Sequence, residues 1–172
     1  MGTKTNSGRV DPSTLPYRPC VGVVLANADG QVFAGERIDT PDAWQFPQGG
    51  IDKGEAPIDA ALRELKEEIS VDQKHIRVVA EHPQWLTYDL PSDLVGIAFK
   101  GRFRGQRQRW FLFELLADDA VINLETAHPE FKAWRWITPG EALSAIVPFK
   151  RDIYETALSH FGQFLGEFAT RN

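Results

Sequence analysis

The sequence predicts one α/β domain built on a mixed sheet with helices layered against it. Three observations predict it. Strand-like and helix-like periodicities alternate along the chain instead of falling into separate blocks, which argues for a layered arrangement. The length of 172 residues suits a single core that buries most of its apolar surface. The composition, 42% hydrophobic and 25% charged, is that of an ordinary globular protein.

Taken in order, the elements begin after a polar segment. Residues 1–16 contain Pro12 and Pro16 and read as a loose tail, leaving 17–170 as the domain. The apolar run at 18–26 reads as a buried strand. Asn27-Ala28-Asp29-Gly30 is turn chemistry, and residues 31–35 read as the returning strand. Five Pro and Gly residues between 36 and 56 imply a long irregular loop, and loops of that length in compact domains usually carry function. A helix follows over 57–69, with proline in its first turn and Ile58, Ala61, Leu62, Leu65 and Ile69 at helical spacing. Strands are expected at 76–80, 85–90, 95–103, 108–116 and 131–137. Thr138-Pro139-Gly140-Glu141 has the form of a capping box opening a short helix to Ile146. A last helix is expected over 149–168.

Several function classes fall away at this level. The formal net charge of −5 argues against a general nucleic-acid binder, and no DNA partner is expected. Cys20 is the sole cysteine, so neither a disulfide framework nor a cysteine-based zinc site is available. The four histidines show no metal-ligand spacing. No apolar run approaches the ~20 residues that span a bilayer, and the first residues lack a secretory pattern. The expectation is a cytoplasmic protein with no membrane partner.

The most informative segment is GGIDKGEAPIDAALRELKEEISV, residues 49–71. Its helix places Glu64, Glu67 and Glu68 on one face, about 100° from the apolar stripe. Like charges at this spacing cost a bare helix roughly 0.2–0.5 kcal/mol per pair, and a divalent cation turns that repulsion into binding. Carboxylate oxygens are hard donors that favour magnesium or manganese. Such a metal serves phosphoryl chemistry by polarising the phosphoryl oxygen and neutralising the leaving group. Three glutamates alone also fit a solvated helix face. The rest of the segment decides against that: Gly49 stands six positions before Glu55, which stands eight before the Arg63-Glu64 pair, with Leu65 and Val71 in place.

This segment resembles the Nudix box: glycine, five residues, glutamate, seven residues, then Arg-Glu-aliphatic-x-Glu-Glu-x-Gly-aliphatic. It departs at one place, where Ser70 stands for the glycine after the helix. The resemblance implies an α/β/α sandwich with a mixed sheet and a loop–helix–loop catalytic motif. It implies Glu64, Glu67 and Glu68 as metal-binding and catalytic carboxylates, with Glu64 the candidate base. Arg63 would orient them in contact with Glu55, and Gly49 would bring backbone close to the metal. The cofactor implied is Mg2+, for which Mn2+ can substitute.

Beyond the box, YRPCVGVVL, AWQFPQGGID, WLTYDLP, GQRQRWFLFEL, PEFKAWRW and FKRDIYE are similar to a narrower group. That group holds bacterial RNA pyrophosphohydrolases and plant-type diadenosine tetraphosphate hydrolases. By this likeness Glu130 is a fourth acidic position that binds metal or acts as a base. Tyr88 corresponds to a tyrosine associated with dinucleoside polyphosphate cleavage, and Arg18, Arg37 and Phe149 to positions that contact the RNA 5′ end or nucleotide. Lys100, Arg102, Arg104, Arg107 and Arg109 form a basic run in an acidic protein, suited to polyphosphate or to guarding a sheet edge. Arg107 and Arg109 are the better candidates for substrate contact.

Two activities follow, and they do not exclude each other. One converts 5′-triphosphate RNA to 5′-monophosphate RNA, and the other hydrolyses a dinucleoside polyphosphate such as diadenosine tetraphosphate. A third reading, a non-catalytic nucleotide sensor, has as its signature the loss of Glu67 or Glu68, and both are present.

Overall fold

The computed structural model describes residues 10–170. Its centre is a pair of long parallel strands, β1 (Tyr17–Ala26) and β7 (Gly105–Leu115), in register from Tyr17 opposite Gly105 to Ala26 opposite Glu114. Every other pairing among the described residues is antiparallel. On the outer side of β1 lie β2 (Val32–Arg37) at one end and β4 (Gln48–Gly50) at the other. The outer side of β7 is shared in the same way by β5 (Ile76–Glu81) and β6 (Leu86–Asp89). The two-residue β3 (Trp44–Gln45) and β8 (Phe131–Ile137) complete the sheet by pairing with β2.

Alternation along β1 and β7 divides the core into two layers. Val21, Val23, Leu25, Phe111 and Phe113 face α1 (Pro57–Ile69), whose Ala60, Ala61, Leu65 and Ile69 are buried against them. Val24, Ala26, Trp110 and Leu112 face the other way, toward α2 (Pro139–Ala145) and α3 (Arg151–Thr170). Trp110 sits beneath Gly22, where a Cβ would fall 2.5 Å from the indole. Glycine is required there for the ring to lie flat on the strand. The result is an α/β/α sandwich. No helix among the described residues is long and apolar enough to cross a membrane.

The chain between β2 and α1 was expected to be irregular throughout, yet it contributes β3 and β4. It is pinned in the middle by Phe46, whose amide donates to the buried Tyr154 hydroxyl at 2.9 Å and whose ring stacks on Tyr154 with centroids 4.6 Å apart. The strand expected over 95–103 is absent. Four residues there, Gly96, Phe99, Lys100 and Gly101, have φ between 53° and 86°, which no strand accommodates. The apolar residues that suggested a strand, Leu94, Val95, Ala98 and Phe99, instead cover the α3-side core as a coil. The loose tail expected over 1–16 falls partly on residues 1–9, which lie outside the described residues. From Asp11 on the chain is tied down: the Asp11 carboxylate caps a turn at Pro12–Thr14, and the Pro16 carbonyl accepts from the Arg104 amide at 3.0 Å. Thr138 and Glu141 form the expected capping box of α2.

Candidate functional site

Helix α1 carries the acidic face because its opposite stripe is committed to the sheet. Glu67 is exposed, Glu64 partly covered, and Glu68 only 6% exposed. Arg63 ties this face to the preceding loop. Its Nε and Nη2 donate to both oxygens of Glu55 at 2.9 and 2.8 Å, and Nη2 also donates to the Gly50 carbonyl at 2.8 Å. Nη1 donates to Glu64 at 2.9 Å and to Glu67 at 3.2 Å. One planar guanidinium thus fixes the loop, the helix and two of the three carboxylates, which a lysine's single ammonium cannot do. Arg63 in turn holds the Glu55 carboxyl down at about 2.

Strand β4 brings glycine against the carboxylates. A Cβ on Gly49 would lie 2.0 Å from Glu64 Cδ, so only glycine fits. The Gln48 amide donates to Glu68 at 3.3 Å. Burial pushes Glu64 up to about 7, against the pull of Arg63. Glu68 is raised well above the usual carboxylate range by burial first, then by the charges of Glu64 and Glu130. Glu68 forms no salt bridge with any described residue.

Among the described residues, no three carboxylate, imidazole or thiol groups converge closely enough to hold an ion as they stand. Arg63 engages Glu64 and Glu67 in this arrangement. The donor chemistry nevertheless fits a hard divalent cation. The Glu64 carboxylate lies against the Gly49 backbone, and the buried Glu68 lacks a cationic salt-bridge partner among the described residues.

Above this face lies a cavity of about 270 Å³ lined by Glu64, Glu68 and Glu130 together with Arg18, Arg37 and Lys150. Carboxylates and cations lining one small space are what a metal–polyphosphate substrate needs. Gln48 and Gln106 add amide groups to the lining. A second cavity of about 400 Å³, with Lys66, Thr126 and His128, shares the same three carboxylates.

Of the residues singled out in the sequence, Glu64, Glu68, Glu130, Gly49, Arg18 and Arg37 meet in the first cavity. Glu67 opens onto the second. Arg37 is held there by a two-point pair with Asp39, at 2.8 and 2.5 Å. Tyr88 is buried beside Phe149, ring centroids 5.7 Å apart, and burial pushes its hydroxyl above the usual tyrosine range. Phe149 is 37% exposed, and it is its neighbour Lys150 that lines the cavity.

Arg107 and Arg109 are not brought to this cavity. They alternate with Gln106 and Gln108 along β7 and so project from the opposite face. There both lie over Trp85, 4.5 and 5.4 Å from its ring centroid, and Arg109 pairs with Glu81 at 2.8 Å.

Sequence reasoning missed Lys150, Gln48, Gln106 and Phe99. Lys150 is 6% exposed, and burial with the nearby Arg37 charge pulls it down to about 8. A lysine directly after the apolar run from Ile146 to Phe149 was its only signal. Gln106 and Gln108 carried a clearer one: two amides at alternate positions leading into Trp110 mark the inward face of a strand.

The NUDIX domain description matches residues 16–157. The chain is 54% identical over 153 residues to a protein of Cereibacter sphaeroides named RNA pyrophosphohydrolase, covering 88% of this chain and 94% of that one. Two solved structures share the fold. The dihydroneopterin triphosphate pyrophosphohydrolase of E. coli superposes with a TM-score of 0.65 at 23% identity, covering 82% of this chain and 96% of that one. An Ap4A hydrolase of C. elegans does so with a TM-score of 0.64 at 19% identity, covering 87% and 98%.

Proposed function

The chain belongs to the NUDIX family of hydrolases, and from that premise we propose that it is an RNA 5′ pyrophosphohydrolase, converting 5′-triphosphate RNA ends to monophosphate ends in the cytoplasm. The observation that carries this reading is the cavity lined by Glu64, Glu68 and Glu130 together with Arg18, Arg37 and Lys150. Its charge pattern suits a metal-bound polyphosphate, and the relative at 54% identity bears the name of that activity. Hydrolysis of a dinucleoside polyphosphate is a second reading, favoured by the Phe99 ring that lines the same cavity beside Arg18.

Family members use divalent cations, and magnesium is the proposed ion here. Glu64, Glu67, Glu68 and Glu130 would hold it, with the Gly49 backbone alongside. When bound, such a cation neutralises phosphate charge and polarises the phosphoryl oxygen. The chain's own groups do the rest. Arg18, Arg37 and Lys150, in the lining of the same cavity, grip phosphate oxygens, the arginines with paired donors. Arg63 orients Glu64 and Glu67. Glu64 takes the proton of the attacking water, which adds to phosphorus in line with the departing phosphate oxygen. Phe149, backed by Tyr88, offers a ring on which the 5′ base stacks. Arg107 and Arg109 stand off the cavity and would meet only substrate that extends past it.

The direct test is single-turnover cleavage of 5′-triphosphorylated RNA with magnesium, followed as monophosphate ends formed. Glu67→Gln serves as control and is expected to lower the rate by about a hundredfold or more. Binding of the RNA by the unmodified protein without cleavage would sink the proposal.

A further inference from the structure

Arg107 and Arg109, sent away from the cavity by the alternation of β7, build a surface of their own with Trp85. Their guanidinium carbons lie 4.5 and 5.4 Å from the indole centroid. Glu81 pairs with Arg109 at 2.8 Å, whereas Arg107 is exposed and forms no salt bridge with any described residue. Trp85 is itself 36% exposed. A guanidinium laid over an indole keeps its edge donors available to phosphate, and the open part of the ring can take a base. An aromatic platform beside an uncompensated arginine is how proteins hold a single strand. In a chain of net charge −5 it is a local exception. A protein partner would instead ask for an apolar centre. The neighbours of the indole on this face are Arg107, Arg109 and Glu81, with Thr87 opposite Arg107.

Strand β6 links this surface to the cleft. Tyr88 stands opposite Gln106, which lines the cavity, and its ring lies 5.7 Å from that of Phe149. Thr87, the next residue back, stands opposite Arg107 and so faces the other way. Trp85 precedes Tyr88 by three positions, about 10 Å of extended chain. Among the described residues β6 pairs with β7 alone, so no further strand covers its outer edge. RNA leaving a 5′ nucleotide stacked on Phe149 has only to round that edge to meet Trp85 and Arg107.

We propose that the Trp85–Arg107 face is an exosite for the single-stranded body of the RNA, holding nucleotides that follow the one seated in the cavity. A base stacks on Trp85 and a phosphate pairs with Arg107, while Arg109, neutralised by Glu81, steadies the indole. This rests on the pyrophosphohydrolase reading and adds to it a grip on substrate beyond the first nucleotide.

The test uses the full chain with magnesium and two ligands that begin alike, a 5′-triphosphorylated single-stranded RNA of about ten nucleotides and the corresponding 5′-triphosphorylated dinucleotide. KM is measured for the longer RNA. The dinucleotide is added as its competitor, which yields an inhibition constant whether or not it is cut. Trp85→Ala and Arg107→Ala are each expected to raise KM for the longer RNA about tenfold, as the loss of one stacked base or one phosphate contact does. Both should leave kcat and the dinucleotide's inhibition constant unchanged, and Trp85→Phe should restore most of the lost affinity. Arg107→Ala should also flatten the dependence of log KM on log salt by about 0.7, the value for one phosphate contact on a single strand. Equal losses on both ligands would make the cluster a support of the cleft, and no loss on either would leave the arginines as guards of an open sheet edge. Either result overturns the exosite while the RNA activity stands. Failure of the unmodified protein to cut the longer RNA would remove the pyrophosphohydrolase reading and the exosite together.

Discussion

Single residues carry departures from pattern that their contacts explain. Ser70 stands where the motif has glycine, and it adopts the left-handed conformation that glycine there would favour, with φ 66°. Its hydroxyl donates to the Asn123 carbonyl at 2.8 Å, and the Asn123 amide donates back to Ile69 at 3.0 Å. The strain of a left-handed serine is offset by a bond glycine cannot make. Ser70→Gly is therefore expected to change stability by less than about 1 kcal/mol, whereas Ser70→Ala keeps the strain and loses the bond, costing about 1 kcal/mol more. Denaturant melts of the two variants check the order. Glu68 makes the opposite kind of prediction. Its buried carboxylate is a burden on the metal-free fold, so Glu68→Gln should melt a few degrees higher in EDTA. The same variant should lose most of the rise in Tm that magnesium gives the unmodified protein, which calorimetry with and without the ion would show.

Elements show how far sequence pattern reaches. Helix α1, β8 and the capping box of α2 were legible because their signals are local: apolar spacing, alternation, and a threonine three residues before a glutamate. The acidic face was legible for the same reason. The stretch 95–103 was not, because its apolar residues satisfy burial without periodic backbone, and two non-glycine residues take conformations that no composition announces. The inward face of Gln106 could be read from alternation, but not that β1 would set Arg18 beside it, which depends on a pairing far along the chain. Arg107 and Arg109 were singled out by charge, and alternation sends them to the other face. At this scale the tie between loop and helix is Arg63. Arg63→Lys should keep the fold, since the helix core is untouched, yet lower kcat about tenfold or more by freeing Glu55, Glu64 and the Gly50 carbonyl from one rigid fork. Circular dichroism beside kinetics separates the two.

At the scale of the whole molecule, α3 must dock on the sheet, and part of that contact is an imidazole pair. His82 is 6% exposed, its ring 4.7 Å from that of His160 on α3. Its Nδ1 accepts from the Gln84 amide at 3.1 Å. Burial pulls its pKa below the usual histidine value, with the charges of His160 and Arg109 acting the same way. The sign follows: above about pH 6.5 the ring is neutral in both states, and the contribution to stability is complete. Below it the unfolded chain takes up a proton more readily, so stability falls as pH drops through the lowered value. Glu64, raised to about 7, acts in the opposite direction in metal-free protein, so the two must be separated by a variant. His82→Asn keeps an acceptor for Gln84 and is expected to lose less Tm than the unmodified protein between pH 7.5 and 5.5.

The parallel pairing of β1 with β7 has a consequence for how activity arises in time. Arg18 stands opposite Gln106, in strands separated by most of the length of the domain. The cations of β1 therefore have no cavity to line until β7 has been made and has found its partner across β2, α1, β5 and β6. Forming that contact closes a very large loop, the kind of event that slows folding most. A chain emerging from the ribosome holds its complete acidic helix long before it holds a substrate cleft. Catalytic competence thus arrives late, since Glu130 and Lys150 join the cavity from chain beyond β7, and its appearance in a refolding experiment should not precede β1–β7 pairing and should lag formation of α1.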